Sequence, residues 1–196
     1  MISGSVNCLF AQNVVSPQVN ESLHVGVGRT STGAGDYYGV MVYGQYNRAL
    51  NRTWTLAPRL SFAMGKDGDA LDPVTVGSGV YQQFSALALD VDVNYQLFPT
   101  IFPRVSASVS AGPSLRYAIE TGYSSVNKQV DQTTGEAIVE VTSEQESGFA
   151  VGATGGVNLM VDVSDRSFIV VRASAQIYSN GDTVPFYGLA FGRAFR

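Results

Sequence analysis

The sequence of 196 residues has few charged side chains, a single cysteine and no long hydrophobic run. Asp, Glu, Lys and Arg make up 14% of the chain, whereas about 25% is usual for soluble domains. With Cys8 as its only cysteine, the sequence has no disulfide framework and no cysteine-based metal site. It also has no run of about 18 apolar residues, so it contains no transmembrane helix. Membrane-spanning β-strands alternate in polarity and are not detected by a search for long apolar runs.

The formal net charge of −4 and the scattered positions of the arginines give no basic patch. A partner made of nucleic acid is therefore not expected. No motif indicates a cofactor, and none is predicted.

The stretch from 86 to 98 alternates apolar and polar residues with a period of two, which predicts a β-strand with one apolar and one polar face. The apolar positions are Leu87, Leu89, Val91, Val93, Tyr95 and Leu97. At about 3.3 Å per residue this strand is roughly 40 Å long. A strand of that length can cross a bilayer at a tilt.

The same alternation recurs along the chain and predicts eight strands. They cover residues 22–29, 38–47, 54–64, 86–98, 105–120, 149–163, 169–177 and 185–195. Pro58 lies inside the third strand and predicts a bulge or a locally broken pairing, because proline has no backbone N–H to donate.

The connections between these strands alternate in length when the N-terminus is placed on the inner side. The turns near Asn51, Pro99 and Asp165 are short, whereas residues 65–79 and 121–148 form long outer segments. Residues 121–148 are predicted to be a loop, within which 137–141 can extend the hairpin. Residues 21–196 are thus predicted to form an all-β, eight-stranded antiparallel up-and-down transmembrane β-barrel with short inner turns and long outer loops.

The polar strand faces carry Ser, Gly, Ala, Thr and Asn rather than Lys and Glu, which favours a narrow lumen over a water-facing surface. Aromatic residues lie near the strand ends on the apolar faces, as expected for two girdles at the membrane interfaces. The inner girdle is predicted to contain Tyr46, Trp54, Tyr95 and Phe195, and the outer girdle Tyr38, Tyr117, Phe149 and Tyr187. A soluble lipocalin-like barrel is the alternative.

The segment Ala111-Gly-Pro-Ser-Leu-Arg-Tyr117 and the closing Gly188-Leu-Ala-Phe-Gly-Arg-Ala-Phe-Arg196 resemble strands of the small eight-stranded bacterial outer-membrane barrels of the OmpX and OmpA type. The resemblance covers residues 21–196. It implies a bacterial outer-membrane location, contacts with outer-membrane lipid and lipopolysaccharide, and recognition of the last strand by the barrel-assembly machinery. In such families that strand usually ends in an aromatic residue; here Arg196 follows Phe195, and Arg193 replaces a common aromatic.

Residues 1–20 are expected to be the remnant of a secretory signal peptide or a flexible N-terminal tail. Cys8-Leu-Phe-Ala followed by Gln12 looks like the end of such a signal, which places the mature start near Gln12.

An eight-stranded barrel is just wide enough for its own side chains to fill. Four charged residues on lumen-facing positions fall at similar depth and predict a salt-bridge network; they are Arg59, Asp90, Asp92 and Arg172. Further candidates for this network are Arg116 with Glu120, and Asp162 near the inner mouth. The alternative is a set of separately hydrated lumen charges.

His24, the only histidine, lies near the inner end of the first strand and is predicted to fill the lumen. Lipid A-modifying enzymes of this architecture need a histidine near the outer end, so an enzyme is not predicted. The acidic residues of the outer segments are expected to be solvated rather than to bind metal; they are Asp67, Asp69, Asp72, Asp131, Glu136, Glu140, Glu144 and Glu146.

These features predict an integral outer-membrane barrel with a filled lumen and a structural or surface-interaction role. The segment 121–148 is the expected contact for an extracellular ligand. The alternatives are a narrow channel or carrier for small hydrophobic molecules, a lipid A-modifying enzyme and the soluble binder.

Overall fold

The computed structural model describes residues 21–32, 37–67, 83–97, 104–130 and 137–195. Their strands are β1 (Glu21–Thr32), β2 (Tyr37–Ala49), β3 (Trp54–Asp67), β4 (Gln83–Gln96), β5 (Val105–Val130), β6 (Ala137–Asp162), β7 (Ser167–Tyr178) and β8 (Thr183–Phe195). The described part of the chain has no helix long and apolar enough to cross a membrane. The expected signal remnant or tail at 1–20 lies outside the described residues.

Each strand pairs in antiparallel fashion with the next one in sequence, and β8 pairs with β1. The closing ladder runs from Glu21 paired with Phe195 to Thr30 paired with Phe186. Closure leaves no free edge within the ring, because every strand has a neighbour on both sides. The predicted eight-stranded up-and-down barrel is confirmed.

The apolar faces of the strands point outward and the polar faces point into the lumen. On β4, Leu89 is 49% exposed and Val91 is 38% exposed, whereas Asp90 between them is fully buried. A continuous apolar belt of this kind matches the hydrocarbon core of a membrane. A soluble lipocalin-like barrel would bury its apolar face, so the alternative of a soluble binder is wrong.

Proline interrupts two of the ladders. Between β2 and β3 the pairing stops after Gln45 with Arg59 and resumes at Arg48 with Leu56, opposite the predicted break at Pro58. Between β4 and β5 a similar gap follows Asp90 with Ser114, opposite Pro113. Both gaps occur where proline lacks the N–H that the ladder needs.

Strands β5 and β6 continue far beyond their other neighbours, so the prediction of a loop over 121–148 is wrong in its secondary structure. Pairing of β5 with β4 ends at Thr121, yet pairing of β5 with β6 continues to Val130 with Ala137, with a register shift between Tyr123 and Ser125. Nine further residues correspond to roughly 30 Å of ribbon. Beyond the barrel no apolar face has to match the membrane, so hydrophobic alternation is not required there and periodicity missed these strands.

The lumen contains more apolar side chains than the polar strand faces suggested. A buried cluster occupies its outer half and includes Met41, Ala63, Phe84, Ala86, Ala118, Ala150, Val184 and Phe186. These residues surround the part of the lumen above the charged positions, toward the extended hairpin.

A charged network across the lumen as the candidate functional site

The four charged residues predicted to meet in the lumen come from three strands. Arg59 lies on β3, Asp90 and Asp92 on β4, and Arg172 on β7, and all four are buried. The period of two places each of them on the inward face of its strand.

Arg59 is bound to its neighbour strand through Asp90. Its Nε and Nη2 atoms each lie 2.8 Å from Asp90 Oδ2, and Nη2 also donates to Thr154 Oγ1 at 3.3 Å. Gln176 Nε2 donates to both oxygens of Asp90, at 3.1 and 3.0 Å. Asp90 therefore receives hydrogen bonds from two sides of the barrel, as a buried carboxylate requires.

Arg172 reaches across the lumen to Asp92. Its Nη2 donates to Asp92 Oδ2 at 2.7 Å, and its Nη1 donates to Gln45 Oε1 at 2.8 Å. Arg59 Nη2 lies 4.0 Å from the same Asp92 oxygen. The two ion pairs thus form one connected group of two cations and two anions with no net charge.

The ring of Tyr43 joins the two arginines from a third direction. The guanidinium carbons of Arg59 and Arg172 lie 5.8 and 6.0 Å from the ring centroid, within the range of cation–π attraction. Tyr43 and Gln45 are both buried on β2, and nothing in the sequence indicated that they contact the charges.

The network and the apolar cluster fill the lumen. A small cavity of about 10 Å³ lies between them, lined by Ser61, Phe84, Arg116, Gln176 and neighbouring small side chains. That space suffices for roughly one water molecule. The four charged side chains of the network are at most 2% exposed, which favours a lumen closed at their depth.

At the outer mouth, Arg116 forms an ion pair with Asp182 in the turn between β7 and β8. The predicted partner Glu120 is wrong, because four residues along one strand span roughly 13 Å, whereas Asp182 reaches the mouth from the opposite hairpin. Arg116 also stacks on the Tyr178 ring at 4.4 Å, and Tyr178 Oη lies 2.9 Å from Ser114 Oγ. This pair is separate from the central network.

Asp162 does not join the network either. It is the last residue of β6, exposed at the inner mouth, because the strand ends there and the lumen opens to water. The prediction that placed it among the lumen charges is wrong.

His24 is buried at the inner end of the lumen. Its ring meets the rings of Tyr43 and Phe168 edge to face, and its Nδ1 lies 3.4 Å from Asn47 Nδ2. No described carboxylate forms an ion pair with it. The described neighbours of the imidazole are therefore aromatic rings and an amide.

The eight aromatic residues predicted for the girdles lie at the two ends of the barrel wall. Trp54 packs against Tyr95 at the inner end with a centroid distance of 4.8 Å, and Tyr117 packs against Phe149 at the outer end at the same distance. The remaining members are Tyr38, Tyr46, Tyr187 and Phe195, all exposed except the partly exposed Tyr46.

Of the acidic residues in the outer segments, Glu144 and Glu146 are exposed on β6. Asp69, Asp72, Asp131 and Glu136 lie outside the described residues. Among the described residues, no group of three or more His, Cys, Asp or Glu side chains is arranged to hold a metal ion.

No family model and no curated protein sequence matches the chain. Solved structures match it over most of its length. Neisserial surface protein A superposes with a TM-score of 0.57 and 11% identity, covering 90% of this chain and 97% of that one. OprG from Pseudomonas aeruginosa superposes with a TM-score of 0.56 and 10% identity, covering 91% of this chain and 97% of that one.

The attachment invasion locus protein Ail of Yersinia pestis gives a TM-score of 0.51 and 14% identity, covering 89% of this chain and 97% of that one. Another structure of Ail holds the heparin analogue sucrose octasulfate. These neighbours are bacterial outer-membrane barrels, and the chain has the fold of the small barrels of the OmpX and OmpA type. Its closed eight-stranded barrel with an outward apolar belt is the architecture of these outer-membrane barrels.

Proposed function

We propose that this protein is a closed outer-membrane barrel that holds the extended β5–β6 hairpin outside the cell as a surface for extracellular contact. The observation that carries the proposal is the length of that hairpin: β5 and β6 pair with each other well beyond Thr121, where β4 ends its pairing. Among the described residues, the ribbon beyond that point has no other strand beside it. The edges of such a ribbon are a surface to which a partner can add a strand.

The charge of the hairpin supports a basic partner. Residues 121–148 contain five acidic residues and one lysine, and Glu144 and Glu146 are exposed. Opposite charges across an interface steer association and raise the rate of binding. A cationic segment of an extracellular protein is the partner chemistry that fits best.

The filled lumen argues against the two remaining alternatives. A channel or carrier for small hydrophobic molecules needs an open path, whereas the four charged side chains of the network lie across the lumen and are at most 2% exposed. A lipid A-modifying enzyme needs its histidine near the outer leaflet, whereas His24 lies at the inner end beside Asn47.

Outer-leaflet lipopolysaccharide is the proposed lipid partner at the rim. Arg29 and Lys66 are exposed on outward-facing positions near the outer ends of β1 and β3. Their ladder partners are Tyr187 and Tyr38. Cations beside interfacial aromatic residues suit the phosphates of that leaflet.

The test replaces residues 124–143 with a short Asn-Gly turn and compares this variant with the parent in lipid vesicles. We expect both to show heat-modifiable migration on a denaturing gel and to pass little current across planar bilayers. The parent should bind fluorescent polylysine, and the shortened variant, which loses three of the five acidic residues and keeps Glu144 and Glu146, should bind it more weakly. Equal binding by a folded shortened variant would refute the hairpin role, and a large parental conductance would refute the closed lumen.

A matched control keeps the hairpin and changes only its charge. Glu144→Gln with Glu146→Gln should weaken polylysine binding without affecting the barrel, because both side chains are exposed. An Asp165→Asn variant, which removes an acid from the inner turn, should bind polylysine as the parent does.

A further inference from the structure

Arg193 places a positive charge on the outward face of the barrel near its inner end. On β8 it lies between Phe191 and Phe195, which are 60% and 44% exposed, and its ladder partner on β1 is the exposed Leu23. An arginine on this face is costly at the membrane midplane and tolerated near the interface. At that depth, the charge of the guanidinium group has to be stabilised by contact with an anion or with the polar headgroup layer.

The turn between β6 and β7 lies directly beside this arginine. Ser167 is the ladder partner of Arg193, and the carbonyl of Arg166 accepts a hydrogen bond from the Ala194 N–H at 2.8 Å. Ser164 Oγ accepts from the Ser167 N–H at 3.2 Å, which keeps the turn compact. An open hollow results, bordered by Ser164, Asp165, Arg166, Ser167 and Arg193.

The hollow has an excess of positive charge. Arg166 and Arg193 are both exposed, and neither forms an ion pair with a described residue. Asp165 is the single acidic residue at its border. Two guanidinium groups against one carboxylate leave a site that attracts anions.

We propose that this hollow binds the phosphate of an anionic glycerophospholipid in the inner leaflet of the surrounding membrane. The planar guanidinium fork matches phosphate oxygens, and the serine hydroxyls add further donors. The acyl chains of such a lipid lie against Phe191 and Leu23. Position at the membrane interface favours a lipid over a free anion, because the apolar and charged parts of the site adjoin.

The test is a native mass spectrometry titration of the folded chain in nonionic detergent with phosphatidylglycerol. The parent should bind phosphatidylglycerol more tightly than phosphatidylcholine. Arg193→Gln and Arg166→Gln should each weaken phosphatidylglycerol binding about fivefold, the size expected for about 1 kcal/mol per arginine near a membrane surface. Arg52→Gln, in the exposed turn between β2 and β3, serves as the matched control and should leave the affinity unchanged.

Heat-modifiable migration verifies that each variant is folded before titration. Equal affinities of the parent for the two lipids would overturn the proposal. Equal losses of phosphatidylglycerol affinity in Arg193→Gln and Arg52→Gln would overturn it as well. A titration with inorganic phosphate distinguishes binding of a lipid phosphate from binding of free phosphate. If phosphate alone binds as tightly as phosphatidylglycerol and displaces it, the site takes free anions and the assignment to lipid is wrong.

Discussion

Arg172 on β7 donates a hydrogen bond of 2.7 Å to Asp92 on β4, two strands that are not neighbours in the barrel. The bond therefore crosses the lumen and links opposite parts of the wall. Both side chains are buried, so water does not replace either partner when the bond is lost.

Arg172→Gln should lower the free energy of unfolding by about 3 kcal/mol, because buried Asp92 loses its 2.7 Å ion pair and keeps only the 4.0 Å contact with Arg59. Adding Asp92→Asn should recover part of the loss, since it removes the uncompensated charge. Urea unfolding in lipid vesicles, followed by the fluorescence of the single tryptophan Trp54, measures both changes. An Arg52→Gln control should shift stability by less than about 0.5 kcal/mol.

The ring of Tyr43 lies within 6.0 Å of two guanidinium groups, and its hydroxyl has no hydrogen-bond partner among the described residues. Tyr43→Phe keeps the ring and should change stability by less than about 0.5 kcal/mol. Tyr43→Leu removes the ring and should cost about 2 kcal/mol through lost cation–π attraction and packing. The same unfolding assay distinguishes them, and equal losses in both variants would show that the hydroxyl is the important group.

Alternation with a period of two was enough to predict the barrel, because inward and outward positions follow directly from strand geometry. It also predicted which side Leu89 and Asp90 would face. Counting residues from the inner turns brought Arg59, Asp90, Asp92 and Arg172 to one depth, where the structure joins them.

The sequence was less informative where contacts depend on turns or on water-exposed strands. Asp182 reaches Arg116 from the turn between β7 and β8, and no spacing rule relates those two positions. The hairpin continues beyond Thr121, where pairing with β4 ends, and no membrane belt imposes an alternation there that periodicity can detect. Both errors concern the outer end of the barrel, where the membrane no longer imposes a pattern.

Gly188 and Gly28 face each other across the β1–β8 ladder. A Cβ on Gly188 would lie 2.3 Å from the Phe186 ring and 2.6 Å from the Val27 carbonyl oxygen, closer than van der Waals contact allows. Gly188→Ala should therefore destabilise the barrel by about 1–3 kcal/mol.

The matched control for this substitution is Gly44→Ala, because no atom lies within 4 Å of a Cβ built there. It should be neutral or stabilising by about 0.5–1 kcal/mol, since alanine restricts the unfolded chain more than glycine does. Equal effects of the two substitutions in urea unfolding would contradict the close approach of β1 and β8.

The ion pair between Arg116 and Asp182 can be tested against the partner expected from the sequence, which is Glu120. Arg116 is buried, and its Nε and Nη1 atoms have no partner among the described residues, so its charge depends on Asp182. Asp182→Asn should cost about 2 kcal/mol, the range for a hydrogen bond to a charged group. Asn180 Nδ2 donates to Asp182 Oδ2 at 2.7 Å. This hydrogen bond within the turn holds the carboxylate of Asp182 in position for Arg116.

Glu120→Gln is the matched comparison, because Glu120 forms no ion pair with Arg116. Its effect on urea unfolding should stay below about 0.5 kcal/mol, as for substitutions outside paired networks. A larger loss for Glu120→Gln than for Asp182→Asn would reverse the assignment. The ion pair between Arg116 and Asp182 links the β7–β8 turn to β5. The order of the two losses in stability therefore also tests whether this turn closes the outer mouth.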